Sequence, residues 1–592
     1  MVRTVADVVR RRRARGVPGA LLVLAALVLA GCGGMPESGQ AGPGRQVGEV
    51  VPELLVAPAG PRPGAGPAEI VGGFLRAGAA SDVDHAVARS FLVGPVVRSW
   101  SPSHDVVVFP DDSSLKVTVR GERSPVRVDV RTPVQATIDA QGRYTEAAPG
   151  TTAHAVFTVV QTGAGWRVSV LDAAFGSWLP QYELDRTYSA LQVAFVASGT
   201  HNLVPDVRWF PGPRPGLATA LIRQLLLGPP RYLAGAVTTG FPPGTTLAVD
   251  AVPTTNGVAQ VDLTSQALAA TPAMRQMMWA QLASTLRRLP TVADLQLTVA
   301  GSAFKVPGVT GTSVYGDTGF RDDVRVSGEP VVLTGDRLAW VDPVSGLLSS
   351  EGPRLPQAEG LRAVSVGAQA STVVGLDDAG RRVLRLAPGP RRTVLLTGAS
   401  WVRPVIDSTG ALWEADQARP GRLSVLGSAQ LGAAGPPGAP IQLAPAWLAR
   451  RTVRSVDVSR DGSRVVIVSA GSDGVARADV AGIVRRPDGE PVALAAPREV
   501  ARSLRQVDDA VWADRTALVV LGRRPADPVS TVYEVVVGGA STALPPVKGA
   551  VAVAAGDGLR AVYVITSSGK VLGRSGVGWA DVGPGRSVSV SQ

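Results

Sequence analysis

The chain has 592 residues, 45% of them hydrophobic and only 5% aromatic, with 68 glycines, 47 prolines and a net charge of +11. That length exceeds one ordinary core and predicts three or four domains, and the apolar content excludes a wholly disordered protein. Six arginines against one acid in the first fifteen residues supply much of the charge, and no dense basic run follows, which argues against a nucleic-acid partner.

Val17 to Ala30 form an apolar stretch broken only by Pro18 and Gly19. It is shorter than the roughly 20 residues of a spanning helix and fits the core of a signal peptide behind a charged n-region. The single cysteine, Cys32, follows at once, so no intramolecular disulfide can form. Leu29-Ala30-Gly31-Cys32 resembles the bacterial lipobox. That resemblance implies a leader over residues 1–31, recognised through Leu29, Ala30 and Gly31. It also implies a diacylglyceryl group on the Cys32 sulfur, with the amine freed by cleavage open to further acylation. Two acyl chains contribute about 0.8 kcal/mol per buried CH₂, enough for a stable membrane anchor on the extracytoplasmic face. Residues 32–67, rich in Gly, Pro and Ala, read as a flexible tether.

Residues 68–182 read as a small α+β domain. Ile70, Val71, Phe74 and Leu75 recur at helical spacing, and Asp82 to Leu92 continue the pattern. Strands are predicted at Asp105–Phe109, Leu115–Val119, Val126–Val130, His154–Val160 and Trp166–Val170. Helices followed by a curved sheet resemble the nuclear-transport-factor-2-like fold, which implies a cone with a pocket.

Residues 183–305 form a second α+β unit. Leu217, Leu221 and Leu225 mark a helix that Gly228 and two prolines end. Thr271-Pro272 opens another, with Met274, Met278, Leu282, Leu286 and Leu289 as its apolar stripe. Strands are expected at Thr246–Val252, Val258–Leu263 and Leu295–Val299. "LIRQLLLGPP", "FPPGTTL", "GVAQVDLT" and "LQLTVAG", in this order, resemble the GerMN domain of sporulation and germination proteins, which implies a binding module.

From residue 325 to 592 helical periodicity vanishes. Turns at Asp342–Gly346, Asp377–Gly380, Asp407–Gly410, Asp461-Gly462, Asp514–Thr516 and Ser567–Gly569 each join two apolar runs. Six such hairpins, raggedly spaced, predict a β-propeller of six blades. A pair of β-sandwiches is the alternative. The fold class expected for the whole chain is therefore multidomain, α+β followed by all-β.

Nothing in the chain marks catalysis. His85, His104, His154 and His201 are scattered without metal-ligand spacing. No strand-turn-helix G-x-S-x-G elbow and no G-x-x-x-x-G-K phosphate loop occurs. The adjacent pairs Asp111-Asp112, Asp322-Asp323, Asp377-Asp378 and Asp508-Asp509 would point to opposite faces of a strand and suit solvated turns better than acid–base work. No catalytic residue, metal or cofactor is expected.

The lipobox and the three domains, in this order, resemble the LpqB family of actinobacterial lipoproteins. The resemblance implies a non-enzymatic accessory protein that contacts the extracytoplasmic domain of an MtrB-like sensor histidine kinase. Its signalling bears on envelope homeostasis and cell division. Only Cys32, with Leu29, Ala30 and Gly31, carries over as a functional residue. The alternative is a peptidoglycan- or glycan-binding protein, or a hydrolase, stacking sugars on Trp100, Trp166, Trp178, Trp209, Trp340, Trp401, Trp413 or Trp512.

Overall fold

The computed structural model describes residues 58–79, 85–212, 216–316, 319–322, 324, 328–368, 371–389, 391–433 and 435–590. The expected leader, with Leu29, Ala30 and Gly31, the expected lipidation residue Cys32 and most of the expected tether lie outside these residues.

The first helix, Pro67–Ala79, buries Ile70, Val71, Phe74 and Leu75, the residues whose spacing predicted it. Gly73 within it has a packing role. A Cβ there would lie 2.5 Å from the Phe91 ring, so glycine lets the next segment pack against the helix. Two four-stranded sheets follow rather than one curved sheet. One runs Lys116–Arg120, Val126–Pro133, Thr152–Thr162, Gly165–Val170. The other runs Tyr144–Glu146, Ala136–Asp139, Asp105–Phe109, Ser177–Pro180, its last pair parallel. Where a pocket was expected, Phe74, Trp100, Phe157, Phe175 and Trp178 fill the interior, with Phe74 and Trp100 centroids 5.0 Å apart and Phe157 and Phe175 5.2 Å apart.

The second unit is built on the hairpin Tyr188–Ala197 and Leu203–Pro211, two strands that the sequence pattern did not single out. The helices Leu217–Leu226 and Pro272–Leu286 pack on it. Thr271 caps the second helix, its hydroxyl accepting from the Met274 N–H at 3.3 Å, and Gly228 takes φ +81° after the first. The expected apolar stripe understates the second helix. Trp279, Gln281, Ser284 and Thr285 are buried as well, because the helix is enclosed on several sides. Gln281 is satisfied there, accepting from Gly240 N at 2.7 Å and donating to Ala194 O at 2.9 Å. The strand expected at Thr246–Val252 is instead a loop with a single bridge, Leu247 to Leu263. It bends where Asp250 turns out to meet Arg223, at 2.8 Å.

From Val331 to Ser589 the described residues form six successive antiparallel sheets of four strands, one of them extended by a fifth. Their innermost strands are Ser587–Ser589, Leu361–Val366, Val405–Ile406, Thr452–Val458, Gln506–Trp512 and Ala550–Ala555, each touching the next, and the last touching the first. That ring is a propeller around a central channel. It is closed by the C-terminal strand Ser587–Ser589, which pairs with Val331–Thr334 at the start of the propeller. Each of the six predicted turns lies in a different sheet, but not at the same place. Those at Asp407, Asp461 and Asp514 join first and second strands, Asp377 and Ser567 second and third, and Asp342 the outer two. Their ragged spacing follows from this.

The three parts share one buried seam. Val466, Val468 and Val480 of the fourth sheet lie in the same apolar cluster as Phe195, Leu221 and Leu286 of the second unit. At Gly482 a Cβ would meet Ala236 at 2.6 Å, so the two backbones touch. At the centre, fully buried Asp206 pairs with Arg208 at 2.5 Å, accepts from the Tyr232 hydroxyl at 3.1 Å and faces Arg498 of the propeller at 3.7 Å. Arg208 donates to Gln141 O at 3.0 Å and Arg498 to Tyr144 O at 2.9 Å, both in the first domain. Glu146 adds bonds to Ser503 N and to the N–H and hydroxyl of Ser541, at 2.9–3.2 Å. Burial raises the Tyr232 hydroxyl pKa, with the Asp206 charge adding to it, so the phenol stays a donor. Breaking a buried pair from one side strands the other charge, so Asp206→Ala is expected to cost about 3–5 kcal/mol in denaturant unfolding. A loss below about 1 kcal/mol, the scale of an exposed pair, would contradict this role.

Candidate functional site

The mouth of the propeller channel is a concave site to which all six sheets contribute. A cavity of about 280 Å³ is lined by Arg362, Arg403, Arg454, Arg586, Ser455, Asp508 and Asp509 among others, drawn from the inner edges of all six sheets. The backbone explains how these side chains come together. The inner strands of the second, fourth, fifth and sixth sheets each carry a β-bulge, at Arg362, Arg454, Asp508 and Val551. An extra residue in a strand re-aims its side chain, and all four line the mouth. At the first sheet Arg586 and Ser587 line it, and at the third Arg403. Four consecutive sheets thus present arginine and the fifth presents two aspartates.

The four arginines are held differently. Arg403 reaches across to the fifth and sixth sheets, 3.3 Å from Asp509 and 3.0 Å from Val553 O, and forms part of the floor. Arg362 donates to Trp401 O at 2.8 Å, and Arg586 stands 3.7 Å from Asp336. Arg454 is exposed and has no hydrogen-bond or ion-pair partner among the described residues.

Below the mouth the sheets are stitched by one repeated device. A polar side chain on each of several inner strands accepts an N–H from the next. Ser587 takes Val364 N at 3.3 Å, Ser589 takes Val366 N at 2.9 Å, and Ser365 takes Ile406 N at 3.0 Å. Asp457 takes Trp512 N at 2.7 Å and Asp509 takes Val553 N at 3.1 Å. Burial pushes the Asp457 carboxyl up to about 6, against the Trp512 N–H and the Arg403 charge. Asp457 lines a cavity of only about 50 Å³, room for water and not for a sugar ring.

Glu414, in the second strand of the third sheet, is fully buried, and neither carboxylate oxygen has a hydrogen-bond partner of ordinary geometry. Burial drives its pKa well above the usual carboxylate value, with the Ala415 N–H and the Arg362 charge pulling the other way.

The other sequence candidates do not converge. His154 bonds Asp129 at 3.0 Å, His104 faces Asp105 at 3.7 Å, and His85 and His201 lie against Trp100 and Phe320. Asp111 caps a turn through Ser113 N, Asp377 holds its own hairpin through Arg381 N, and Asp322 pairs with Arg287 and Arg515. Trp100, Trp178, Trp340, Trp401, Trp413 and Trp512 are buried, and Trp166 and Trp209 are half-buried, so none is an open platform for a sugar. Among the described residues there is no cluster fit to hold a metal, and no helix is long and apolar enough to cross a membrane.

Comparison with known proteins places these features. The model described as "Lipoprotein LpqB, N-terminal domain" matches residues 60–185, "Sporulation and spore germination" matches 192–304, and "Lipoprotein LpqB beta-propeller domain" matches 333–590. A lipoprotein LpqB of Thermobifida fusca is 30% identical over 84% of this chain and 86% of its own length. The chain belongs to the LpqB lipoprotein family. LpqB proteins of Streptomyces coelicolor and Mycobacterium tuberculosis are 29% and 26% identical, each over 86–87% of both chains. Among solved structures, a putative TolB from Agrobacterium tumefaciens covers 44% of this chain and 92% of its own at a TM-score of 0.30 and 13% identity. The first GerMN domain of GerM from Bacillus subtilis covers 21% of this chain and 92% of its own at a TM-score of 0.15 and 17% identity. LpqB membership carries the lipoprotein character and the GerMN and propeller architecture.

In the LpqB propeller the orphaned Glu414 gives a pH signature. Its folded pKa lies above its unfolded value, so the unfolded chain releases a proton first and stability falls as pH rises above about 4.5. Glu414→Gln is therefore expected to raise the thermal midpoint at pH 7, with an advantage that shrinks as pH falls toward 4. A midpoint difference independent of pH would contradict a protonated, buried Glu414.

Proposed function

We propose that the protein is anchored through lipidated Cys32 on the extracytoplasmic face of the membrane. There it binds the sensor domain of an MtrB-like histidine kinase and modulates its signalling in envelope homeostasis and division. Membership of the LpqB family supports the accessory-lipoprotein character. The observation that carries the binding reading is the three-way seam at Asp206. An accessory acts on a kinase by favouring one of its conformations, and does so only as far as its affinities for the two differ. A body whose domains are fixed to one another can hold that preference, whereas freely jointed domains would accommodate both. The glycan-binding alternative is the weaker reading, since none of its tryptophans offers an open stacking face.

Two experiments test this. A soluble chain of residues 33–592 should retain the extracytoplasmic domain of the cognate sensor kinase in a pull-down. Loss of the protein should change phosphorylation of the response regulator. No retention together with unchanged phosphorylation would end the signalling reading. For the anchor, mass spectrometry of the membrane-extracted protein should show an N-terminus at Cys32 carrying a diacylglyceryl mass. Cys32→Ser should lose that mass and keep its leader. A cleaved, unlipidated N-terminus in the unchanged protein would contradict the lipobox assignment.

A further inference from the structure

At the level just below the mouth-lining residues three inner strands carry a polar side chain, Ser587, Ser455 and Asp509, and Ser455 alone of these makes no stitching bond among the described residues. Ser455 occupies the position in the fourth sheet that Ser587 holds in the first and Asp509 in the fifth, one residue after the mouth-lining Arg454, Arg586 and Asp508. Ser587 and Asp509 each accept an N–H from the following sheet. The N–H that would correspond for Ser455 is that of Ala510, but Asp509 takes it at 3.0 Å. The Ser455 hydroxyl is left buried, without a hydrogen-bond partner, in the wall of the mouth cavity. A buried hydroxyl with no partner is costly and marks a place for a ligand atom or an ordered water.

Arg454, next to it, has no ion-pair partner among the described residues, and Arg362, Arg403 and Arg586 line the same cavity. Guanidinium groups gathered in a concave, partly desolvated site repel one another and concentrate positive potential, which an oxyanion relieves. The opposite rim is acidic. Asp508 lies at the edge, accepting from the Ser530 hydroxyl and from Gln506 Nε2 at 3.4 Å with lone pairs to spare, and Asp509 is engaged by Arg403. The mouth therefore has an anion-holding side and a donor-accepting side. Its volume, about 280 Å³, suits a small molecule or one terminal group and not a folded surface.

We propose that the propeller mouth is a binding site for a small hydroxylated oxyanion. Its phosphate or carboxylate group sits on Arg454 and Arg586 above the Arg403 floor, with Arg362 beside it. One of its oxygens bonds Ser455, and its hydroxyls face Asp508. The site stands apart from the kinase-binding reading and does not require it.

Isothermal titration of the mature chain at low salt, with glucose 6-phosphate, citrate and glucose as probes, tests this. Glucose 6-phosphate or citrate binds saturably at one site per chain, and glucose does not. Binding of the phosphate probe alone identifies a phosphate site, and binding of citrate alone a carboxylate site. Arg454→Gln and Ser455→Ala each weaken binding, the first at least tenfold, and Arg454→Lys restores part of it. Arg454 is exposed, so the glutamine variant keeps the thermal midpoint of the parent without ligand, which separates lost binding from lost folding. Absence of saturable binding by both anions would overturn the proposal, as would equal binding of glucose or an affinity unchanged in Arg454→Gln.

Discussion

Asp206 is the charge on which the arrangement turns. It is fully buried, and a lone buried carboxylate would be forbidding, so its environment must supply cations and donors. Those it recruits come from different parts of the chain. Arg208 lies two residues away, Tyr232 lies in the same unit, and Arg498 belongs to the propeller. The two arginines then spend their remaining donors on carbonyls of the first domain, at Gln141 and Tyr144. One carboxylate thus fixes three domains to one another, and the apolar cluster around it runs unbroken from the GerMN unit into the fourth and fifth sheets. Gly482 and Gly538 lie where a side chain would hold these surfaces apart, meeting Ala236 in one case and Val207 in the other.

Much of the architecture was legible before any coordinates. Asp and Gly at the propeller turns state their own conformations, because an Asp side chain bonds nearby N–H groups and Gly accepts positive φ. Asp407 does the first, taking Thr409 N and Ala411 N, and Gly410 the second, at φ +79°. The helix cap at Thr271 was equally readable. The hairpin Tyr188–Ala197 and Leu203–Pro211 was not, because an unbroken apolar run such as Val193 to Ala197 has the same pattern in a buried strand as in a buried helix. The strand expected over Thr246–Val252 is reduced to the single bridge Leu247 to Leu263, because an apolar-polar alternation does not tell whether a neighbouring strand continues alongside it.

The mouth was invisible for a different reason. Arg362, Arg403, Arg454 and Arg586 are spread over more than two hundred residues, two of them within strands and Arg403 and Arg586 in the loops just before theirs. Only the closure of the ring by Ser587–Ser589 brings them together, and only the bulges turn Arg362 and Arg454 toward the axis. A bulge has no residue signature here, since its positions carry Arg, Arg, Asp and Val. The tryptophans misled in the opposite sense. As residues they suggested sugar stacking, yet a ring such as Trp413 donates its N–H to Asp407 of its own hairpin at 2.8 Å and lies in one apolar cluster with Val453 and Val456 of the next sheet.

A binding preference transmitted between faces needs fixed geometry, so the domains must behave as one rigid body. The most direct measurement is scanning calorimetry of the mature chain. A shared core predicts that the GerMN unit and the propeller unfold in a single transition whose calorimetric and van't Hoff enthalpies agree. Two separate transitions for these parts would show that the seam does not couple them and would contradict the account.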